Sequence, residues 1–397
     1  MISSLKIKNP SLYIVFLSLI GATPPLATDM YLAAIPRIAA EWNVHVAEVN
    51  LSLVLWFAAF SLSLLIFGPL SDRFGRRPVL LFGLGLFVVS SFLCGLSVDP
   101  VSLIIFRIIQ GIGAAAPSSM VMAICRDKYD GRERQRALAY IGVILAVAPM
   151  VAPSIGTMLL HLGSWRLIFF TQAGMVAITT IIALGYEETA KERINGSIPF
   201  LFSRYKSLTH NREYAAATTI MGLSIAPFYG FIAVSPVIYI KVFGLSEAYF
   251  SILFGMNAVC AMAGSFVSAK ISIKASQAKM MTVGFTGAFA GGLGVLLLGH
   301  MGYQFFAAGM FTFAFFTGFN RPVSSSLVLE QVKTDIGSAS SFMVFYQFMT
   351  GAVCMWLVTM PHKDPLRFYG ILITSITLTV LLVWPVLFKW LRKKGGI

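Results

Sequence analysis

The sequence predicts an all-α membrane protein, with twelve transmembrane helices arranged as two six-helix halves. Three observations carry this. Hydrophobic residues make up 57% of the 397-residue chain and charged residues only 12%, and the mean hydropathy is +0.81. A soluble domain carries about 25% charged residues, so the apolar excess must face lipid. Apolar runs of about 20 residues, the length that crosses a hydrocarbon core, recur along the whole chain. The longest polar stretch, Glu187 to Arg212, divides the chain nearly in half, as an internal duplication would.

Taken in order, spans are expected at 11–35, 48–70, 78–97, 100–124, 137–160 and 165–185. After the polar stretch they continue at 212–240, 248–269, 280–300, 303–329, 338–359 and 366–389. The first run continues past Asp29 without a small-residue cleavage site, so it reads as a retained helix and not a signal peptide. The halves are then 1–186 and 212–397, joined by a linker over 187–211 that carries Glu187, Glu188, Lys191, Glu192 and Arg193. A short echo supports duplication: Gly68-Pro-Leu-Ser-Asp-Arg73 follows the second span, and Gly264-Ser-Phe-Val-Ser-Ala-Lys270, without the Asp, follows the eighth.

The net charge of +14 is explained by topology. With both termini cytoplasmic, the inside segments collect Lys6, Lys8, Arg73, Arg76, Arg77, Arg126, Lys128, Arg132, Arg134 and Arg136. They also collect Lys191, Arg193, Arg204, Lys206, Arg212, Lys270, Lys274, Lys279, Lys333, Lys389, Arg392, Lys393 and Lys394. The outside segments hold only Arg37, Arg166, Lys241, Lys363 and Arg367. This asymmetry is the positive-inside pattern, so the basic balance does not imply a nucleic-acid partner. Cys94, Cys125, Cys260 and Cys354 stand singly, with no CxxC pair, which predicts free thiols and no metal. A membrane enzyme would need clustered His, Asp or Cys at catalytic spacing, and none is present.

Ionisable residues deep in a span are costly and mark function by default. Asp29 is the acid placed deepest, and Arg107 in the fourth span comes out at similar depth, so the two are expected to form an interior pair. Burial and a nearby guanidinium push a carboxyl in opposite directions, which suits an acid that loads and releases protons. Gln110 follows Arg107, and Gly111 with Ala114 and Ala115 offers small residues for close helix packing. Arg321, beside Asn320 and Pro322 in the tenth span, reads as a second buried cation that either lines a cavity or snorkels to the inner surface. Tyr31 is one of many aromatics available to line a cavity for an apolar substrate.

Gly68-Pro-Leu-Ser-Asp-Arg-Phe-Gly-Arg-Arg-Pro78 is the most specific signal in the chain. Gly75 supplies the positive φ of a sharp turn, and Asp72 is expected at the positive end of another helix. Arg73 is expected to reach an acid such as Asp127, with Gly68 and Arg76 completing a gating loop. Pro149 and Pro153, four apart in the fifth span, predict a kink or hinge.

The chain resembles the major facilitator superfamily over essentially its whole length. Gly68 to Arg77 is similar to that superfamily's signature loop, and Arg107-Ile-Ile-Gln-Gly-Ile-Gly113 to the fourth-helix motif of its drug:proton antiporters. Thr28-Asp-Met-Tyr-Leu32, Arg126-Asp127 and Ala148-Pro149 with Ala152-Pro153 resemble the Bcr/CflA branch. Ala33 departs from that branch's usual proline, and most fifth-helix glycine sites carry Ala or Thr, with Gly156 kept. The resemblance implies a bacterial inner-membrane antiporter that exports chloramphenicol, florfenicol, bicyclomycin or related amphipathic drugs by alternating access. Asp29 and Arg107 would couple protons, and Asp29, Tyr31, Arg107, Gln110 and Arg321 are the candidates for contact with substrate. An exporter of an endogenous metabolite, such as an amino acid or siderophore, is the alternative. The expected partners are a small molecule, protons and the lipid bilayer, with the chain acting as a monomer. No phosphate-cradling loop is present, so no cofactor is expected and the proton gradient is the energy source.

Overall fold

The computed structural model describes residues 10–190, 205–332 and 335–393, and every regular element among them is helical. The chain divides into two compact units, residues 1–202 and 203–397. The first contains α1 (Pro10–Asp29), α2 (Ile35–Glu41), α3 (Val46–Phe74), α4 (Arg76–Gly95), α5 (Pro100–Lys128), α6 (Gly131–His161) and α7 (Arg166–Leu184). The second contains α8 (Arg212–Pro236), α9 (Glu247–Ile271), α10 (Gln277–Leu298), α11 (Tyr303–Glu330), α12 (Ile336–Thr359) and α13 (Pro365–Lys393). Lys6, Lys8, Lys191, Glu192, Arg193, Arg204, Lys333 and Lys394, used above for topology and the linker, lie outside the described residues.

The helices begin where capping chemistry allows. Asp99 accepts from the backbone N–H of Ser102 at 2.8 Å, and Pro100 opens α5. Asn211 and Ser246 cap α8 and α9 in the same way, accepting from Tyr214 and Tyr249. Each side chain satisfies a donor that the first helical turn leaves orphaned. Exposed apolar residues such as Phe82, Val89 and Phe92 on α4 have no protein covering them. In a membrane protein that surface faces lipid.

Eleven described helical segments are long and apolar enough to cross a membrane. The twelfth expected span, α11, has 28 residues but carries Gln304, Asn320, Arg321 and Ser324 to Ser326, which lower its apolarity. The first expected span is not one helix. α1 stops at Asp29, a 3₁₀ turn covers Leu32–Ala34, and α2 restarts with Pro36 in its first turn. Pro36 has no N–H to give the carbonyl one turn back, so the helix breaks before it. The seventh span is also distorted, ending in a π-helical turn over Val237–Val242 after Pro236. α6, in contrast, runs unbroken through Pro149 and Pro153 for 31 residues.

Small residues set the closest helix approaches, and they recur in both units. A Cβ on Gly111 of α5 would sit 2.6 Å from the Trp56 carbonyl oxygen on α3. One on Gly318 of α11 would sit 2.0 Å from the Ala261 carbonyl oxygen on α9. Gly156 of α6 likewise lies against the backbone of Met30, next to Asp29. Such contacts let backbones pack at distances a side chain forbids.

Not all of the polar stretch after α7 is a solvated linker. Residues 205–210 are helical, and Tyr205 and Leu208 are buried, with Tyr205 stacked 6.2 Å from the Phe342 ring.

Candidate functional site

Asp29 sits where α1 breaks. It is 5% exposed and is the only buried acid among the described residues. Its Oδ1 accepts from the Thr28 hydroxyl at 2.8 Å. The break frees carbonyl groups at the end of α1, and inside a membrane each must find a partner within the protein. Arg107 Nη1 donates to the Ala27 carbonyl at 3.0 Å. Gln172 Nε2 donates to the Leu26 carbonyl at 3.1 Å, with a longer contact of 3.4 Å to Ala27.

Arg107 therefore caps α1 and does not pair with Asp29. Among the described residues no ion pair joins the two within 4.0 Å, contrary to the pairing expected from their depth. The physical reason is the freed carbonyls, the negative end of the helix dipole, which attract a cation as a carboxylate would. The guanidinium is fully buried. Its Nη1 also donates to Gln110 Oε1 at 2.5 Å. Its carbon lies 4.9 Å from the Tyr31 ring centroid, 5.5 Å from Trp56 and 5.9 Å from Phe169, so three π faces share the charge. Nε and Nη2 have no acceptor, and neither has the Trp56 indole N–H. This is a donor-rich, acceptor-poor centre.

The surrounding polar groups tie the helices together. Gln110 Nε2 donates to Ser91 on α4 at 2.7 Å and to Gln172 Oε1 on α7 at 3.1 Å. The Tyr31 hydroxyl lies 3.0 Å from Ser52 on α3. Tyr31, Arg107 and Gln110, three of the five residues expected to meet substrate, thus gather in one buried cluster, while Asp29 stands two residues along the chain from the Ala27 carbonyl that Arg107 caps. Gln172, Trp56 and Phe169 belong to the cluster and were not singled out from sequence. A glutamine inside the apolar run Arg166–Leu184 was a visible signal, because polar side chains in lipid seek partners. What it contacts was not legible.

Arg321 differs from expectation. It is exposed, not buried, and among the described residues it forms no ion pair within 4.0 Å. The buried group is its neighbour Asn320, whose Oδ1 has no hydrogen-bond partner and faces Gly284. Asn320, Thr317, Ser224 and Thr377 border a small cavity of about 10 Å³ in the second unit, about the room of one water.

At the Gly68–Pro78 loop the partners are also reassigned. Arg76, not Arg73, reaches Asp127, with Nε donating to Oδ2 at 2.9 Å. Its Nη1 donates to Asp72 and to Ser71, both at 2.6 Å. Asp72 is thereby held by Arg76 and does not cap a helix. The N-terminus of α4 is capped by Glu188, whose two oxygens accept from the N–H groups of Arg76 and Arg77 at 2.9 and 3.1 Å. Burial would raise the Glu188 carboxyl; backbone N–H groups of Ala190, Arg76, Arg77 and Thr189 outweigh it and hold it below its ordinary range. Gly75, at φ +100, turns the chain here, and a Cβ would fall 2.3 Å from Glu188 Oε2. Arg73 instead lies over the Phe74 ring.

Comparison with known proteins agrees with this architecture. "Multidrug resistance protein MdtL" of Klebsiella pneumoniae (strain 342) is 28% identical over 90% of this chain and 92% of its own length. "Uncharacterized MFS-type transporter YdgK" of Bacillus subtilis (strain 168) is 34% identical, over 63% of this chain and 64% of that one. Among solved structures, a D-xylose-proton symporter superposes with a TM-score of 0.72 at 16% identity, over 94% of this chain and 96% of that chain. The nucleoside transporter NupG gives 0.73 at 12% identity, over 96% and 100%. At those identities the superpositions speak for the fold alone. The profile of the Major Facilitator Superfamily matches residues 17–355, and the chain belongs to that superfamily.

Proposed function

We propose that this transporter is a proton-coupled exporter of small amphipathic drugs, of the chloramphenicol, florfenicol and bicyclomycin type, working by alternating access. The observation that carries the reading is Asp29: the one buried acid among the described residues, at the break of a membrane helix whose Ala27 carbonyl is capped by a caged, acceptor-poor arginine. An acid so placed can exchange a proton only when the bundle opens to one side, which is what coupling needs. The 28% identity to a relative named for multidrug resistance supports drugs over other cargo. In this reading the protein lies in a bacterial inner membrane with both termini cytoplasmic, as the basic residues favour. The Arg76–Asp72–Asp127 cluster then serves as a cytoplasmic latch, and Pro149 and Pro153 as the flexible part of α6.

The test is reconstitution in liposomes enclosing a pH-sensitive dye, with florfenicol or chloramphenicol added against an imposed proton gradient. Wild type should move protons on drug addition, and Asp29→Asn should move none. Well-folded wild type that is silent to both drugs would overturn the drug reading and point to metabolite export. An Asp29→Asn variant that couples normally would remove Asp29 as the proton site.

A further inference from the structure

We infer that Gln172 is the positioning residue of the Asp29 site: its amide holds open the break in α1 that carries the proton-coupling acid. The inference rests on the exporter reading for its functional consequence and on geometry for its assignment.

The geometry fixes which way every amide points. Arg107 can only donate and a main-chain carbonyl can only accept. Between these ends lie two glutamines. Arg107 Nη1 donates to Gln110 Oε1, so the Gln110 nitrogen faces the other way, towards Ser91 and Gln172. Gln172 Oε1 accepts from Gln110, so the Gln172 nitrogen faces α1 and donates to the Leu26 and Ala27 carbonyls. A chain of donors thus runs from the cation through two amides to the unwound end of α1. Gln172 is 2% exposed, so no water replaces it.

The carbonyls it holds belong to the residues two and three before Asp29. Without Gln172 the Leu26 carbonyl would either turn back to the N–H of Met30 or stay orphaned in the bundle, and Ala27 would be held by Arg107 alone. Either change moves the carboxyl. Gln172 touches no reacting atom; it acts through the backbone.

A substitution can separate the donor from the bulk of the side chain. Gln172→Met keeps the volume and removes the hydrogen bonds to α1 together with the acceptor for Gln110. Gln172→Glu keeps the acceptor for Gln110 but, when ionised, offers α1 no hydrogen. When protonated it donates again.

Full-length wild type and both variants are reconstituted and assayed for drug-driven proton movement between about pH 5.5 and 8, a range into which burial raises a carboxyl. Gln172→Met should lose about tenfold or more at every pH. Gln172→Glu should lose as much at the alkaline end and recover at the acid end, where the introduced carboxyl takes its proton. Recovery in the same preparation also shows that the variant is folded. Wild-type rates in Gln172→Met, or a wild-type pH profile in Gln172→Glu, would overturn the assignment.

If wild type itself moves no protons with either drug, the exporter reading fails and Gln172 is judged separately. Hydrogen exchange of the peptide from Leu26 to Ala34, corrected for intrinsic pH dependence, should then speed up in Gln172→Met throughout and in Gln172→Glu only at the alkaline end. Unchanged protection in both variants would overturn the positioning role as well.

Discussion

The first helix of each unit is distorted, and the two distortions differ in kind. α1 comes apart at Asp29, and the freed carbonyls are taken by side chains from α5 and α7. α8 passes through Pro236 into a π-helical turn and stays wound. Around the first break sit a buried cation, a buried acid and a set of amide and hydroxyl partners that includes Gln110, Gln172 and Thr28. Around the second sits an aromatic cluster of Phe231, Tyr239, Phe250, Phe306 and Tyr369, and its one charged residue, Lys241, is exposed. One half has been given the polar chemistry; the other packs. A wound helix keeps its own carbonyls occupied, so only the unwound one needs foreign donors. The unwound one can therefore hold a group whose state changes.

That contrast can be broken experimentally, and the largest effect should come from Arg107. Arg107→Met should abolish drug-driven proton movement and cost about 2 kcal/mol of stability in detergent, because it leaves the Ala27 carbonyl and Gln110 Oε1 without their donor. A parallel collapse of stability and transport would make Arg107 a structural residue only. Next come the glycine contacts that both units share. Gly111→Ala and Gly318→Ala each force a Cβ onto a main-chain oxygen and should each cost about 2 kcal/mol of stability, read from chemical or thermal melts. If only the first matters, the small-residue contact is not a common mechanical feature of the halves. The smallest effect is expected at Tyr239, whose buried hydroxyl has no partner. Tyr239→Phe should stabilise by about 1 kcal/mol and leave transport unchanged. A transport defect there would show that the second half holds polar chemistry too.

Much of the fold was legible beforehand because membrane length and hydropathy constrain it so tightly. Span positions such as 165–185 and 303–329 match α7 and α11 to within a residue or so, since lipid sets both the length and the apolarity of a crossing helix. The site was only half legible. Asp29, Tyr31, Arg107 and Gln110 announce themselves as polar or aromatic residues in motifs, and the last three do gather around one guanidinium. Their bonding was misread, because depth along two helices says nothing about which side of each helix faces the other. The pairing of Arg76 in place of Arg73 with Asp127 has the same origin: a three-residue shift is most of a helical turn, and only the turn at Gly75 decides which arginine points inwards. Glu188, grouped by composition with a solvated linker, turned out to cap α4.

By itself, then, the sequence determined the class, the spans and the residue types that would carry charge into the membrane. These follow from the cost of exposing polar groups to lipid, which is a property of local composition. The tertiary structure alone decided who satisfies whom: that α1 opens before Pro36, that Arg107 serves a carbonyl and not a carboxylate, and that Gln172 completes the set. Those choices depend on distances between helices far apart in sequence, and a buried donor takes whichever acceptor the packing brings within about 3 Å.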